Sequence, residues 1–466
     1  MESGKPYFFC GIGGSGMLPL ACIVRARGHE VGGSDRSLDQ QRLGGKFDFL
    51  RRLGIGLFPQ DGSGLSSADQ VLVTSAAIEE TVPDVVRAKE LGCARLTRPQ
   101  LLAELFNEAP VAIAVGGTSG KSTVTGMIGW IFHEAGLDPT VMNGAVMKNF
   151  AGEETPFASA LVGGSGVFVS EVDESDGSIA LYRPTVAVLN NVTLDHKSLD
   201  ELRHLFRDFA LEAGTVVLNL DDEETRLLAA ALPEERTVTY SLEDPAARIG
   251  GSRLVELPLG IEFDVTDRAS GETAAVRLQV PGRHNAANAL GAIAAAQAAG
   301  VELAVAAGAL SRFAGLRRRF EVVGAAAGVT VIDDFAHNPD KIAATLSTLH
   351  AFPGRLLVYF QPHGYGPLRT MRQELIDCFA ANLREEDVLI LSRPAYFGGT
   401  TDMSVTSADI VAGVCAAGRG AEYVEEREEA GAGLAELASP GDRIVVMGAR
   451  DDTLSDFAAR VLERLG

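Results

Sequence analysis

Cysteine is scarce in this chain. Five of its 466 residues are cysteine (Cys10, Cys22, Cys93, Cys378 and Cys415), an odd number with no C-x-x-C spacing. That argues against a disulfide framework or a structural zinc site and fits a reducing compartment. Positive charge is also short: 41 Lys plus Arg stand against 62 Asp plus Glu, for a net charge of -21. So acidic a chain repels phosphate at long range, which argues against nucleic acid and anionic membrane as partners. A phosphorylated small molecule can bind only in a local pocket of glycine amides, lysine, arginine and metal. No apolar run approaches the ~20 residues that span a bilayer. The N-terminal Met-Glu-Ser-Gly-Lys-Pro lacks the basic and apolar regions of a signal peptide, so a cytoplasmic location is expected. Short-period repeats, coiled-coil heptads and low-complexity tracts are missing as well.

What is present is globular. Apolar residues make up 46% and charged residues 22%, enough for sizeable cores, and the length suggests about three domains. Strand-like and helix-like runs alternate, the rhythm of parallel sheets covered by helices, so the expected class is α/β. Strands are predicted at 7–10, 30–31, 111–115, 167–170, 186–189 and 329–332. Helices are predicted at 17–27, from the second glycine loop to about residue 135, and over the alanine-rich 286–299. Seams near 107–110 and 315–322 divide the chain into 1–107, 108–317 and 318–466.

Two glycine loops follow strands and open helices. The first, Gly11-Ile-Gly13-Gly14-Ser15-Gly16, is G-x-G-x-x-G. Its glycines permit a tight turn and close approach to a diphosphate at a helix N-terminus, and Asp35 could accept a hydrogen bond from a ribose. This motif alone would also suit a NAD-dependent oxidoreductase. The second is Gly116-Gly117-Thr118-Ser119-Gly120-Lys121-Ser122-Thr123, a shortened phosphate loop with Val115 where the strict pattern has glycine. Its amides can cradle phosphates, Lys121 can reach the β and γ oxygens, and Ser122 can ligate Mg²⁺.

Polar groups collect at predicted strand ends. Glu171, Asp173, Glu174 and Asp176 follow one strand, and Asn190, Asn191, Asp195 and His196 follow another. Beside a phosphate loop, such carboxylates can hold Mg²⁺, a hard cation that prefers oxygen. Asp333, Asp334, Phe335 and His337 follow a third strand, and Gln361, His363 and Arg369 a later run. Arg317, Arg318 and Arg319 form a concentrated basic triplet, which suggests an anion to neutralise.

Taken together, these motifs resemble the Mur ligase family, the ATP-dependent ligases that build the peptide of the bacterial cell wall. The resemblance covers nearly the whole chain. It rests on the 11–16 loop, the 117–122 loop, Glu171 to Ser175, Asn191-x-x-x-Asp195-His196, Pro281-Gly-Arg-His-Asn285-Ala-Ala-Asn288, Gly315-Leu-Arg-Arg-Arg319-Phe-Glu321, Asp334-Phe-Ala-His337-Asn-Pro339 and Phe360-Gln-Pro-His363. It implies three domains: an N-terminal Rossmann-like domain for a UDP-sugar, a central ATPase-like domain with a phosphate loop, and a C-terminal Rossmann-like domain for the amino acid.

The implied reaction joins a UDP-N-acetylmuramate-type carboxylate to L-alanine through an acyl phosphate. A murein peptide or another acceptor is the alternative. The implied roles put Gly11, Gly13, Gly14, Ser15, Gly16 and Asp35 on the UDP-sugar, and Gly117 to Thr123 on ATP with Lys121 at the γ-phosphate. Ser122, Glu171 and His196 would hold Mg²⁺. Asn285 and Asn288 would contact adenine, and Arg319 and Asp334 the nucleotide. His337 and His363 would line the pocket of the incoming amine, and Arg369 would serve its carboxylate. A monomer or homodimer is expected. The chain departs from the family at Ser119, where one branch has His, at Phe335 for Tyr, and at Gly364 and Pro367, where arginines suit a carboxylate. No lysine lies between Ser198 and Asp340, so the carbamylated lysine of some branches could only be Lys197.

Overall fold

The computed structural model describes residues 4–466 except 77, 194–197, 397–401, 450 and 452. Among the described residues the strands form three sheets, the framework of a three-domain α/β fold. The first two sheets belong to one compact unit, built on residues up to 314 apart from 256–261 and 280–283. The third lies in a second unit of residues 315–466 with those two short segments.

The first sheet runs Gly56–Phe58, Glu30–Ser34, Pro6–Cys10, Val71–Thr74 and Ala94–Thr97, all parallel. Its central strand is apolar on both faces because helices cover both sides, and Phe8 and Phe9 are fully buried. The helix Met17–Ala26 follows directly and buries Leu18, Leu20, Ala21, Ile23 and Val24.

The second sheet is ten-stranded, and its centre sets the chemistry. Val111–Gly116 lies between Val186–Leu189 and Val167–Glu171, parallel to both. The register pairs Gly116 with Leu189 and Val115 with Glu171. The segments that follow all three strands therefore emerge at one carboxyl edge, where open α/β sheets bind ligands. The helix Lys121–Glu134 departs from that edge. The predicted alanine-rich helix spans Arg283–Ala298, with Ala286, Ala289, Ala292 and Ala294 to Ala296 fully buried. Small side chains let it lie close: a Cβ added at Gly291 would come within 3.0 Å of the Tyr240 ring.

The third sheet runs Glu321–Ala326, Val329–Asp334, Arg443–Gly448, Leu356–Gln361, Val388–Leu391 and Gly420–Tyr423, parallel except for the first pair. Asp334 pairs with Met447 and Gln361 with Gly448, which brings the segments after these strands to one edge. All five cysteines are free. No described helix is long and apolar enough to cross a membrane.

Candidate functional site

The second glycine loop bends so that its last backbone amides are left free at the start of a helix. Gly117 and Gly120 have φ of +123° and +83°, the left-handed region that favours glycine. A Cβ at Gly120 would lie 2.6 Å from Asn288 Oδ1 and 2.9 Å from Asn190 Nδ2. Two asparagines thus press on the loop from outside. Thr118 N–H donates to Asn191 O (3.1 Å) and Ser119 N–H to Asn191 Oδ1 (2.8 Å), pinning the first half of the loop to the neighbouring strand end. The amides of residues 120–123 find no acceptor among the described residues. They are the unsatisfied donors of a helix N-terminus, a ready anion site. Gly120→Ala combines left-handed strain with a clash. It is expected to weaken ATP binding about tenfold, for a strain of ~1–2 kcal/mol, read by calorimetric titration.

Lys121 crosses the loop. Its Nζ donates to Gly117 O (2.7 Å) and to Glu174 Oε2 (2.8 Å), and Glu174 is 5% exposed. Ser122 Oγ donates to Glu171 Oε2 (2.7 Å). A Cβ at Gly144 would sit 2.1 Å from Glu171 Oε1, so this carboxylate rests against bare backbone. Asn143 Nδ2 donates to Ser122 O (3.0 Å) and fixes the start of the helix. Burial pushes the Asp173 carboxyl up, but hydrogen bonds from Ser175 and the charges of Lys121 and Arg98 outweigh it and hold Asp173 below the usual carboxylate range. Asp195 and His196, predicted here, lie outside the described residues, as does Lys197.

The first glycine loop belongs to the same unit. Asp35, predicted as a ribose acceptor, takes Gly13 N–H on Oδ2 (2.8 Å) and Ser37 N–H on Oδ1 (2.8 Å). Both of its oxygens therefore brace the loop and cap the next helix. The amides of Ser15 and Gly16 donate to no described residue. They open onto a cavity of about 340 Å³ that Lys121, Glu171 and Asp173 line from the other side. The two predicted loops thus face one space.

The second unit gathers the remaining predicted residues. Arg318 and Phe320 have left-handed φ of +58° and +49°, rare for non-glycine residues. Phe335 N–H donates to Arg318 O (2.9 Å) and Phe320 N–H to Asp334 Oδ1 (3.0 Å), holding the turn from both ends. Arg319 sits between the strained residues with its guanidinium 4.7 Å from the centre of the Phe335 ring. The arginine triplet is not one solvated patch: Arg318 is 8% exposed and donates to Gly448 O (2.7 Å) and Asp451 O (2.9 Å). Its partner Asp333 is fully buried, and burial pushes that carboxyl up to about 6. The His337 and His363 rings meet edge to face at 5.0 Å. Burial lowers the His337 imidazole to about 3, against the opposing effect of its 2.8 Å hydrogen bond to Phe335 O. Arg369 is exposed and paired with Asp402 at 2.6 Å.

Comparison with known proteins separates the two enzyme classes that the first loop alone would allow. Three family models match in series: "Mur ligase family, catalytic domain" over residues 6–109, "Mur ligase middle domain" over 115–296, and "Mur ligase, glutamate ligase domain" over 318–450. A UDP-N-acetylmuramate–L-alanine ligase of Streptomyces coelicolor is 37% identical, over 99% of this chain and 97% of its own. The chain belongs to the Mur ligase family. Another relative, from Agrobacterium fabrum and of the same name, is 34% identical over 96% of this chain and 94% of its own. Among solved structures, a UDP-N-acetylmuramate-alanine ligase from Thermotoga maritima shares the fold with a TM-score of 0.79 at 24% identity, covering 98% of both chains. A murein peptide ligase from Psychrobacter arcticus reaches 0.70 at 26% identity, covering 99% of both.

In this Mur ligase the sequence motifs account for Lys121, Ser122 and Glu171 and leave other groups out. Asn143 holds the start of the helix that follows the loop, yet asparagine after a strand reads as an ordinary turn residue. Arg98 lines the cavity and carries no motif. It stands in Thr97-Arg-Pro-Gln100, which reads only as a capped helix start, and the capping box is present.

Proposed function

We propose that this chain joins UDP-N-acetylmuramate to L-alanine at the expense of ATP, as a cytoplasmic step in peptidoglycan synthesis. The observation that carries the reading is the 37% identity, over 99% of the chain, with a relative of that name. A carboxylate does not condense with an amine in water, because its oxide is a poor leaving group. The carboxylate oxygen therefore attacks the γ-phosphorus of ATP, and ADP departs. The amine nitrogen then attacks the acyl carbon, gives up its proton, and expels inorganic phosphate.

Phosphoryl transfer asks the protein for positioning and charge neutralisation. The free amides of residues 120–123 and the Lys121 ammonium supply both. The residues also fit Mg²⁺: Ser122 Oγ and Glu171 Oε2 are adjacent hard oxygen donors. Among the described residues no group of three or more His, Cys, Asp or Glu is placed to hold a metal. Mg²⁺ usually keeps several waters and substrate phosphates beside one or two carboxylates, so this set suffices. Bound there, the ion would neutralise charge on the transferred phosphoryl group.

The second reading, a ligase for a murein peptide, draws on Gly364 and Pro367 and on the likeness to the Psychrobacter enzyme. ADP release is the test, with UDP-N-acetylmuramate and either L-alanine, other amino acids or a murein tripeptide, with and without EDTA. L-Alanine-dependent release that EDTA abolishes is expected. Release with the tripeptide alone moves the assignment to the second reading, and no release with any acceptor overturns both.

A further inference from the structure

We propose that Arg98 binds the carboxylate of the sugar nucleotide and turns it toward the phosphate loop; this rests on the function proposed above. Arg98 begins the helix Arg98–Asn107 and is half-buried. Its side chain runs along the first glycine loop: a Cβ at Gly16 would lie 3.0 Å from Arg98 Cδ and 3.3 Å from Nε. The Arg98 side chain makes no hydrogen bond or ion pair with any described residue. Most of the chain's other arginines are committed to carboxylates or carbonyls, as Arg203, Arg248, Arg318, Arg355 and Arg427 are.

A half-buried guanidinium whose side chain has no partner is available to an anion. It lies beside the N-terminus of the helix Met17–Ala26, the positive end of that dipole. The nearby Asp173 feels its charge but does not bond it. The cavity explains the arrangement. Arg98 lines the same 340 Å³ space as Ser15, Gly16, Lys121 and Glu171. A diphosphate on the first loop and a γ-phosphate at Lys121 leave Arg98 between them. The group that must lie between them in this reaction is the acid to be phosphorylated. A planar guanidinium matches a carboxylate in bidentate fashion, which fixes the direction in which its oxygens point.

The experiment titrates Arg98→Ala calorimetrically with two ligands, UDP-N-acetylmuramate and UDP-N-acetylglucosamine. The second is the same nucleotide sugar without the lactyl carboxylate. R98A is expected to weaken the first about tenfold, as for loss of a charged hydrogen bond. The second should stay within about twofold, as for any contact Arg98 does not make. In steady state kcat should fall while KM for ATP holds, because the acid is misdirected and the phosphate loop is intact. Equal weakening of both ligands would assign Arg98 to the diphosphate and overturn the proposal, and so would no change in either. If R98A does not fold, Arg98→Gln is put to the same two titrations. Wild-type protein that binds neither sugar nucleotide sinks the proposed function itself; normal wild-type binding with unaltered discrimination in the variant sinks only this inference.

Discussion

Replacing Lys121 with alanine is expected to lower ADP release at least ~1,000-fold while the protein still folds, the scale of a lost preorganised charge at a reacting centre. The ammonium is anchored at Gly117 O and placed beside amides that have no other acceptor. Nothing else in that loop carries positive charge. The change also has a structural cost, because Glu174 loses its partner while 5% exposed. An uncompensated buried carboxylate costs on the order of 3–5 kcal/mol. K121A should therefore melt earlier than wild type. The double variant K121A/E174A should recover much of that loss and remain inactive. This pair of readouts separates charge on the phosphate from charge that merely holds the fold, since a purely structural lysine would regain activity along with stability. K121A turnover within tenfold of wild type would remove the central assignment.

The same pair shows what could be read from the residues alone. Lys121 was legible because glycine, lysine and serine at fixed spacing after an apolar strand leave little else to do. Glu174 was legible only as one of four carboxylates, since sequence gives no sign of which of them turns inward. The strands at 111–115, 167–170 and 186–189 were legible to within one residue, because a strand buried on both faces is a short continuous apolar run. The partnering of those strands was not. Which strand ends share an edge depends on the order in the sheet, and that order places Val186–Leu189 and Val167–Glu171 on either side of Val111–Gly116. Arg98 stayed hidden for a related reason: its meaning lies in an ion pair it does not make, and only three-dimensional packing reveals that. Asp35 illustrates the opposite case. Its spacing from the first glycine loop suggested a ligand, while its oxygens take Gly13 and Ser37 amides.

Replacing His337 with alanine is expected to reduce amide formation about 100-fold and raise KM for the amino acid, whereas glutamine should restore part of both. His337 Nδ1 lies 2.8 Å from Phe335 O. A carbonyl only accepts, so Nδ1 carries the hydrogen and Nε2 presents a lone pair. Burial, with Lys341, His363 and Arg319 nearby, lowers this imidazole to about 3, so it is neutral throughout the working range. A base that weak is poorly matched to removing a proton at neutral pH. It is well matched to accepting a hydrogen bond from the amine and aiming the nitrogen. Glutamine offers an acceptor oxygen at similar reach; alanine offers none. The same shift predicts a stability signature. The folded value lies below the ordinary 6.5, so between about 6.5 and 3 the unfolded chain binds more protons than the folded one. Stability conferred by the neutral ring is complete above 6.5 and drains away as pH falls, with a slope of up to ~1.4 kcal/mol per pH unit. H337Q cannot titrate, so its melting temperature should fall less steeply than that of wild type between pH 6.5 and 4. Parallel melting curves would mean that the ring is already charged or already solvated, and with that the acceptor role would go too.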